Sequence, residues 1–124
     1  MQMNAFYRKA IDGYHATLRE LRGKGGVSEQ HLRPAFQTLL ATAGKKVEWT
    51  LVPEQRLPNG KVPDGTLRDA FLLPRGYWEA KDTADELNAE IKKKIGIGYP
   101  LTNIIFEDTH RAVLYQDGQR ALEI

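Results

Sequence analysis

The chain has 124 residues, of which 41% are hydrophobic and 27% are charged, and its formal net charge is +2. This size and composition predict one ordinary globular domain with its own core. Cysteine is absent, which excludes disulfides and thiolate zinc sites. No apolar run is long enough to cross a membrane and the first residues lack a signal-peptide pattern, so we expect a cytoplasmic protein.

Two helices are predicted in the first part of the chain. Apolar residues at helical spacing indicate a first helix that ends in the glycine-rich stretch 23–26. Ser28 is the expected N-cap of the second helix, which continues to Gly44. Pro34 falls inside this helix and is expected to kink it or to delay its regular start.

The middle of the chain is predicted to form strands. Alternating residues from Val47 to Val52 indicate a half-buried strand, which is followed by a loop over 53–65. Residues 69–73, the turn at 74–76 and residues 77–81 then have the pattern of a β-hairpin.

One more helix and three more strands are predicted after the hairpin. Asp82 or Thr83 is the expected cap of the helix. The strands are expected at 103–107, 111–116 and 119–124, with Asp117-Gly118 as the last turn. The order α, α, β, β, β, α, β, β, β leaves room for a parallel pair, and it predicts an α/β (α+β) fold with helices against a mixed sheet.

The stretch Glu79-Ala80-Lys81 is the strongest indication of chemistry. Because residues i and i+2 of a strand share a face, Glu79 and Lys81 project together, and the predicted hairpin brings Asp69 opposite them. Asp69 and Glu79, with the Ala80 carbonyl, offer the hard oxygen ligands that Mg²⁺ prefers. Lys81 would orient or deprotonate a water, or stabilise the transition state of phosphodiester hydrolysis.

Taken alone, the tripeptide also fits an edge strand protected by charged residues. The same acid-x-lysine pattern recurs at Glu90-Ile91-Lys92, where it lies within a helix and indicates surface charge. The hairpin and its upstream acid favour an active site at the first occurrence.

The segments Pro63-Asp64-Gly65-Thr66-Leu67-Arg68-Asp69 and Gly76-Tyr77-Trp78-Glu79-Ala80-Lys81-Asp82 resemble the PD-(D/E)xK nuclease superfamily. More narrowly, they resemble the Mrr-like nuclease domain at the N-terminus of single-polypeptide (type ISP) restriction-modification enzymes. The element order from Ser28 to Tyr115 is similar to the αβββαβ restriction-endonuclease-like core of that superfamily. The resemblance implies a core at 28–116, preceded by a helix at 1–23 and followed by a terminal strand at 117–124, within a single domain 1–124.

This resemblance implies an endonuclease domain that cuts double-stranded DNA with Mg²⁺, for which Mn²⁺ would substitute. The chain would be a fragment of a larger polypeptide, with a helicase-like ATPase, a methyltransferase and target-recognition domains downstream. Two alternatives stay open: a repair or junction-resolving nuclease of the same superfamily, and a non-catalytic DNA-binding or assembly module on a nuclease fold.

The second acid of the site has two candidates. Asp64 matches the superfamily's "PD" by its letters, whereas Asp69 matches by its expected geometry and is favoured, with Asp64 as the alternative acid. The resemblance also offers Glu29 as a metal ligand, although a carboxylate there equally suits a helix start. The run Lys92-Lys93-Lys94 would contact DNA phosphates, or would form a solvated helix face.

Overall fold

The computed structural model describes residues 5–25, 29–81 and 87–123, except for the side chains of Glu29 and Gln30. Its helices are α1 (Ala5–Gly23), α2 (Glu29–Lys46) and α3 (Leu87–Gly96). None of the helices in these ranges is long and apolar enough to span a bilayer. The expected delay at Pro34 is wrong, because α2 is already helical at Glu29. The predicted caps Ser28, Asp82 and Thr83 lie outside the described residues.

Six strands form one mixed sheet in which each strand pairs with the next along the chain. Among the strand pairs of the described residues, only β3–β4 is parallel, and α3 lies between these two strands in the chain. The predicted αβββαβ order runs from α2 to β4 and is confirmed, as are the N-terminal helix and the C-terminal hairpin. The strands are β1 (Thr50–Pro53), β2 (Gly65–Arg68), β3 (Pro74–Ala80), β4 (Asn103–Glu107), β5 (Ala112–Gln116) and β6 (Gln119–Glu123).

The helices cover both faces of the sheet, and the alternation along β3 decides which side chains meet which helices. Trp78 and Ala80 are buried on one face, where they pack with Phe36 of α2. On the other face Ile104 and Phe106 of β4 pack against α3 through Leu87 and Ile91. Glu79 is in register with Phe106, so it projects on the α3 face.

The hairpin that was expected from 69–73 and 77–81 is displaced in the structure. The strand that pairs with β3 is Gly65–Arg68, with Gly65 opposite Trp78. Residues 69–73, which we call the hairpin tip, form the connection instead of a strand. Phe71, Leu72 and Leu73 are 83%, 72% and 55% exposed, so the apolar run that suggested a strand is not buried.

Close packing selects the earlier segment as the strand. A Cβ atom on Gly65 would lie 2.7 Å from Leu51 Cδ1 and 3.0 Å from Trp78 Cε3, so a larger residue would force these side chains to shift. The next residue, Thr66, is fully buried. The tip cannot offer such contacts, and its Leu72 has a left-handed backbone with φ of 66°.

The first strand begins later than the sequence suggested. β1 starts at Thr50, because α2 extends to Lys46 and the residues between them form a turn with Glu48 at a φ of 62°. Val47, expected within the strand, is 48% exposed. The last hairpin is as predicted, since Asp117 and Gly118 both adopt positive φ, as a tight two-residue turn requires.

Candidate active site

Asp64 and Glu79 face each other at the end of the β2–β3 hairpin that lies away from its tip. The Asp64 backbone N–H donates to Glu79 Oε1 at 3.1 Å, and Asp64 Oδ2 accepts from the Ala80 N–H at 2.7 Å. This reciprocal pair of hydrogen bonds places two carboxylates side by side on the α3 face. The alternative acid of the sequence analysis is therefore the one that the fold brings to Glu79.

Glu79 is 5% exposed, and its surroundings oppose its ionisation. Burial raises the pKa of its carboxyl, and the neighbouring charge of Asp64 raises the same pKa further. The ammonium of Lys94 and the Asp64 N–H act in the opposite direction but do not cancel these effects. The buried Glu79 carboxylate beside the half-buried Asp64 carboxylate favours the presence of a cation between or beside them.

Three charged residues complete the cluster around the carboxylate pair. Lys94 Nζ lies 3.0 Å from Glu79 Oε2 and 3.7 Å from Glu90 Oε1. Lys81, two residues after Glu79, places its Nζ 3.5 Å from Glu90 Oε2. Glu90 thus lies between both lysines, and its side chain is only 12% exposed.

Tyr99, which follows α3, supports Lys94 from the other side. Lys94 Nζ lies 3.4 Å from the Tyr99 hydroxyl and 4.7 Å from the centre of its ring. Burial acts to lower the pKa of Lys94, but the hydrogen bond and charge of Glu79, together with Tyr99, outweigh it and raise this pKa. Burial and the charge of Glu79 also raise the pKa of Tyr99. Lys94 is therefore held in its charged form beside Glu79.

The expected placement of Asp69 beside Glu79 and Lys81 is wrong. Arg68 is in register with Pro74, so Asp69 lies at the opposite end of β3, roughly 16 Å along the strand from Glu79. Asp69 Oδ1 accepts from the N–H groups of Phe71 and Leu73, and Asp69 Oδ2 pairs with Arg75 at 2.8 Å. Asp69 fixes the hairpin tip, because a short carboxylate side chain readily bonds to backbone N–H groups of its own turn.

The pKa of Asp69 reflects its hydrogen bonds and ion pair at the hairpin tip. Burial acts to raise the pKa of the carboxyl, but hydrogen bonds from Leu73 and Phe71, and the hydrogen bond and charge of Arg75, outweigh that effect and lower the pKa. Its oxygens are already occupied by three donors. It is therefore a structural carboxylate in this fold.

A second buried acid, Glu107, lies at the same end of the sheet but on the opposite face. It pairs with Ala80 across β3 and β4, and its carbonyl accepts from the Lys81 N–H at 2.8 Å. Its carboxylate accepts from Trp78 Nε1 at 3.1 Å and from the Thr109 N–H at 2.8 Å. Burial raises the pKa of Glu107 to about 7, although both of these hydrogen bonds act to lower it.

The other predicted site residues have separate positions. Glu29 begins α2, but its side chain lies outside the described residues. Lys92 and Lys93 are exposed on α3, whereas Lys94 turns to Glu79, so the basic run does not form one surface. The interpretation of Glu90 as surface charge is wrong, because its side chain is 12% exposed and pairs with Lys81 and Lys94. The contact of Lys94 with Glu79 was not predicted, although the spacing of four residues between Glu90 and Lys94 on one helix face was visible in the sequence.

The carboxylate pair fits a small divalent cation. Among residues 5–25, 29–81 and 87–123, no three or more histidine, aspartate or glutamate side chains are grouped to hold a metal ion. Mg²⁺ does not need such a group, because it keeps several waters and commonly takes one or two carboxylates. Asp64 and Glu79 supply those two, and their crowding, which raises the pKa of Glu79, is what a cation would relieve.

Comparison with known proteins identifies a solved structure that is similar in fold and sequence. The chain matches no family model and no curated protein. It does match the structure of a DrdV–DNA complex determined by cryo-electron microscopy, with a TM-score of 0.86 and 40% sequence identity over 94% of the chain. The fold is restriction-endonuclease-like. The chain spans only 12% of the length of the DrdV chain.

Proposed function

We propose that this chain is a metal-dependent nuclease domain that hydrolyses phosphodiester bonds of double-stranded DNA. The observation that carries the proposal is the direct opposition of Asp64 and Glu79, with Lys81 two residues further along on the same face. The likeness to DrdV supports it, because that protein was solved in complex with DNA and is similar in both fold and sequence.

The residues of the site would have the separate roles that this chemistry requires. Asp64 and Glu79, with the Ala80 carbonyl, would hold Mg²⁺, and Mn²⁺ would substitute. When bound, the cation supplies a water of lowered pKa and offsets negative charge on the phosphate. Lys81 carries an ammonium group at the rim of the site, with 26% of its side chain exposed. As an ammonium it would orient the attacking water, or pair with a phosphate oxygen as negative charge builds up; only after losing a proton would it deprotonate that water.

We also propose that the domain is the nuclease module of a longer, type ISP-like restriction-modification polypeptide. The resemblance of the Asp64 and Glu79 segments supports this, as does the much greater length of the DrdV chain. An ATPase, a methyltransferase and a target-recognition domain would then lie elsewhere in the polypeptide. Cleavage specificity would come from those parts.

A plasmid-cleavage assay with the natural-length protein tests the proposal. Supercoiled DNA would be incubated with Mg²⁺, with Mn²⁺ or with EDTA. We expect metal-dependent cleavage that falls by about 100-fold or more in Glu79→Gln and in Lys81→Ala. Lys9→Ala and Glu20→Gln, which change exposed charges on α1, are the matched controls.

Cleavage that persists in both site variants would contradict the assignment of the site. Metal-independent DNA binding without cleavage in the wild-type protein would instead support a non-catalytic module on the same fold.

A further inference from the structure

Lys94 differs from the two lysines that precede it on α3. Lys92 and Lys93 are exposed, whereas the side chain of Lys94 is 19% exposed and its Nζ lies 3.0 Å from Glu79 Oε2. This oxygen belongs to the carboxylate that faces Asp64. Lys94 therefore supplies positive charge directly to the carboxylate pair.

Lys94 also has a second set of partners close to the first. Glu90, one helical turn earlier, places Oε1 3.7 Å from the same ammonium. The Tyr99 hydroxyl lies 3.4 Å away and its ring centre 4.7 Å away. A small swing of the flexible lysine side chain can exchange Glu79 for these groups without leaving the ammonium unpaired.

We propose that Lys94 balances the charge of the Asp64–Glu79 pair when no metal is bound, and that it competes with a divalent cation for Glu79. This inference rests on the proposed function. When the cation binds, Lys94 moves onto Glu90 and Tyr99. Buried carboxylates need a compensating charge, and the ammonium provides it until a divalent cation takes its place.

Glu90 links this exchange to Lys81. It already contacts both lysines, with Lys81 Nζ 3.5 Å from Oε2. As Lys94 shifts onto Glu90, both lysines pair with the same Glu90 carboxylate. The ion pair between Lys81 and Glu90 then weakens. Loading of the metal site then makes the Lys81 ammonium more available to water and phosphate.

Titration with Mn²⁺ alone, in the absence of DNA and at one fixed pH, tests the competition. Isothermal titration calorimetry would compare wild type with Lys94→Met, Lys94→Arg, Lys93→Met and Glu90→Gln. We expect Lys94→Met to bind Mn²⁺ about tenfold more tightly, because a competing charge is removed from the site. Lys94→Arg and Lys93→Met should resemble wild type, and Glu90→Gln should bind more weakly because Lys94 loses its alternative carboxylate.

Thermal unfolding in EDTA and in Mn²⁺ gives an independent readout. Lys94→Met should melt at a lower temperature than Lys93→Met in EDTA, since the buried Glu79 carboxylate loses its ammonium partner. Added Mn²⁺ should raise its melting temperature by more than it raises that of wild type. If Lys94→Met does not fold in EDTA, Lys94→Gln takes its place in both experiments.

The outcomes separate this inference from the proposed function. If wild type cuts DNA but Lys94→Met binds Mn²⁺ no more tightly than Lys93→Met, the competition is wrong and the nuclease proposal stands. If Lys94→Met binds Mn²⁺ tightly in a protein that cuts no DNA, the competition stands and the nuclease proposal fails. Absence of Mn²⁺ binding in every variant overturns both.

Discussion

The β2–β3 hairpin carries one aspartate at each end, and the two residues have different roles. At one end, Asp64 lies beside a buried carboxylate, Glu79, and bonds to the backbone around it. At the other end, Asp69 has its oxygens occupied by two backbone N–H groups and by Arg75. The same side chain can thus lie beside another acid, as in the proposed cation site, or close a turn, depending on whether its neighbours are acids or donors.

The two ends of the hairpin also differ in burial. Trp78, Glu79 and Ala80 are each at most 6% exposed, whereas the apolar residues of the hairpin tip are largely exposed. A charged group is costly where water is excluded and donors do not compensate it, so electrostatic effects should be strong at Glu79. Asp69 has a side chain that is only 10% exposed, but three donors compensate its charge. Substitutions at the two ends should therefore differ in size and in pH dependence.

Glu107 should give the largest change in stability with pH. Its pKa is about 7 in the folded protein against an ordinary value of 4.5, so the folded state binds the proton more tightly. The free energy of unfolding should therefore fall by about 3 kcal/mol as pH rises from about 4.5 to about 7. Glu107→Gln removes this contribution.

Urea unfolding of wild type and Glu107→Gln at pH 5 and pH 8 measures this contribution to the free energy of unfolding. The stability of the variant relative to wild type should increase at the higher pH. A difference between the two proteins that does not change with pH would show that Glu107 ionises without cost.

The next effect compares two glycines in the same hairpin. A Cβ atom on Gly65, at the Asp64 end, would lie 2.7 Å from Leu51 Cδ1 and 3.0 Å from Trp78 Cε3. On Gly76, nearer the tip, the closest atom would be 3.5 Å away, an ordinary contact. Gly65→Ala should lower the free energy of unfolding by about 2 kcal/mol through overpacking, and Gly76→Ala by much less. Equal losses in urea unfolding would contradict the difference in packing.

Removal of Asp69 should weaken the tip and leave the candidate active site intact. Asp69→Ala loses two turn hydrogen bonds and the ion pair with Arg75, and we expect the melting temperature to fall by about 5 °C. Because the pKa of Asp69 is lowered by folding, this difference from wild type should vanish as pH falls through that pKa. Thermal melts against Asp12→Ala, an exposed control on α1, measure the change, and loss of metal-dependent cleavage would refute the purely structural role.

The smallest effect concerns the backbone of the tip. Leu72 is 72% exposed and has a φ of 66°, a conformation that glycine adopts without strain. Leu72→Gly should raise the free energy of unfolding by about 0.5 kcal/mol, whereas Leu73→Gly, where φ is not positive, should lower it. Destabilisation of equal size in both variants would mean that Leu72 contributes by contact.

Most of the fold could be predicted from the sequence because its signals are local. Helical spacing gave α1 and α2, and Asp117-Gly118 marked the final turn with residues that accept positive φ. The parallel pairing of β3 and β4 followed from the helix between them. These features depend on neighbours along the chain.

The register of the first hairpin could not be predicted in this way. The apolar run Phe71-Leu72-Leu73 has a strand-like composition, whereas Gly65 and Thr66 do not. Their burial depends on contacts with Leu51 and Trp78, which only the folded sheet creates. The same limit hid Lys94, whose partner Glu79 lies on another element.

The position of the proposed metal site depends on which aspartate belongs with Glu79, and Mn²⁺ affinity measures this most directly. Asp64→Asn and Asp69→Asn remove the same charge from the two ends of one hairpin, and calorimetric titration compares them with wild type. We predict that Asp64→Asn weakens Mn²⁺ binding by about tenfold or more, while Asp69→Asn leaves it unchanged. Weakened binding in Asp69→Asn, with wild-type affinity in Asp64→Asn, would contradict the assignment of the metal site.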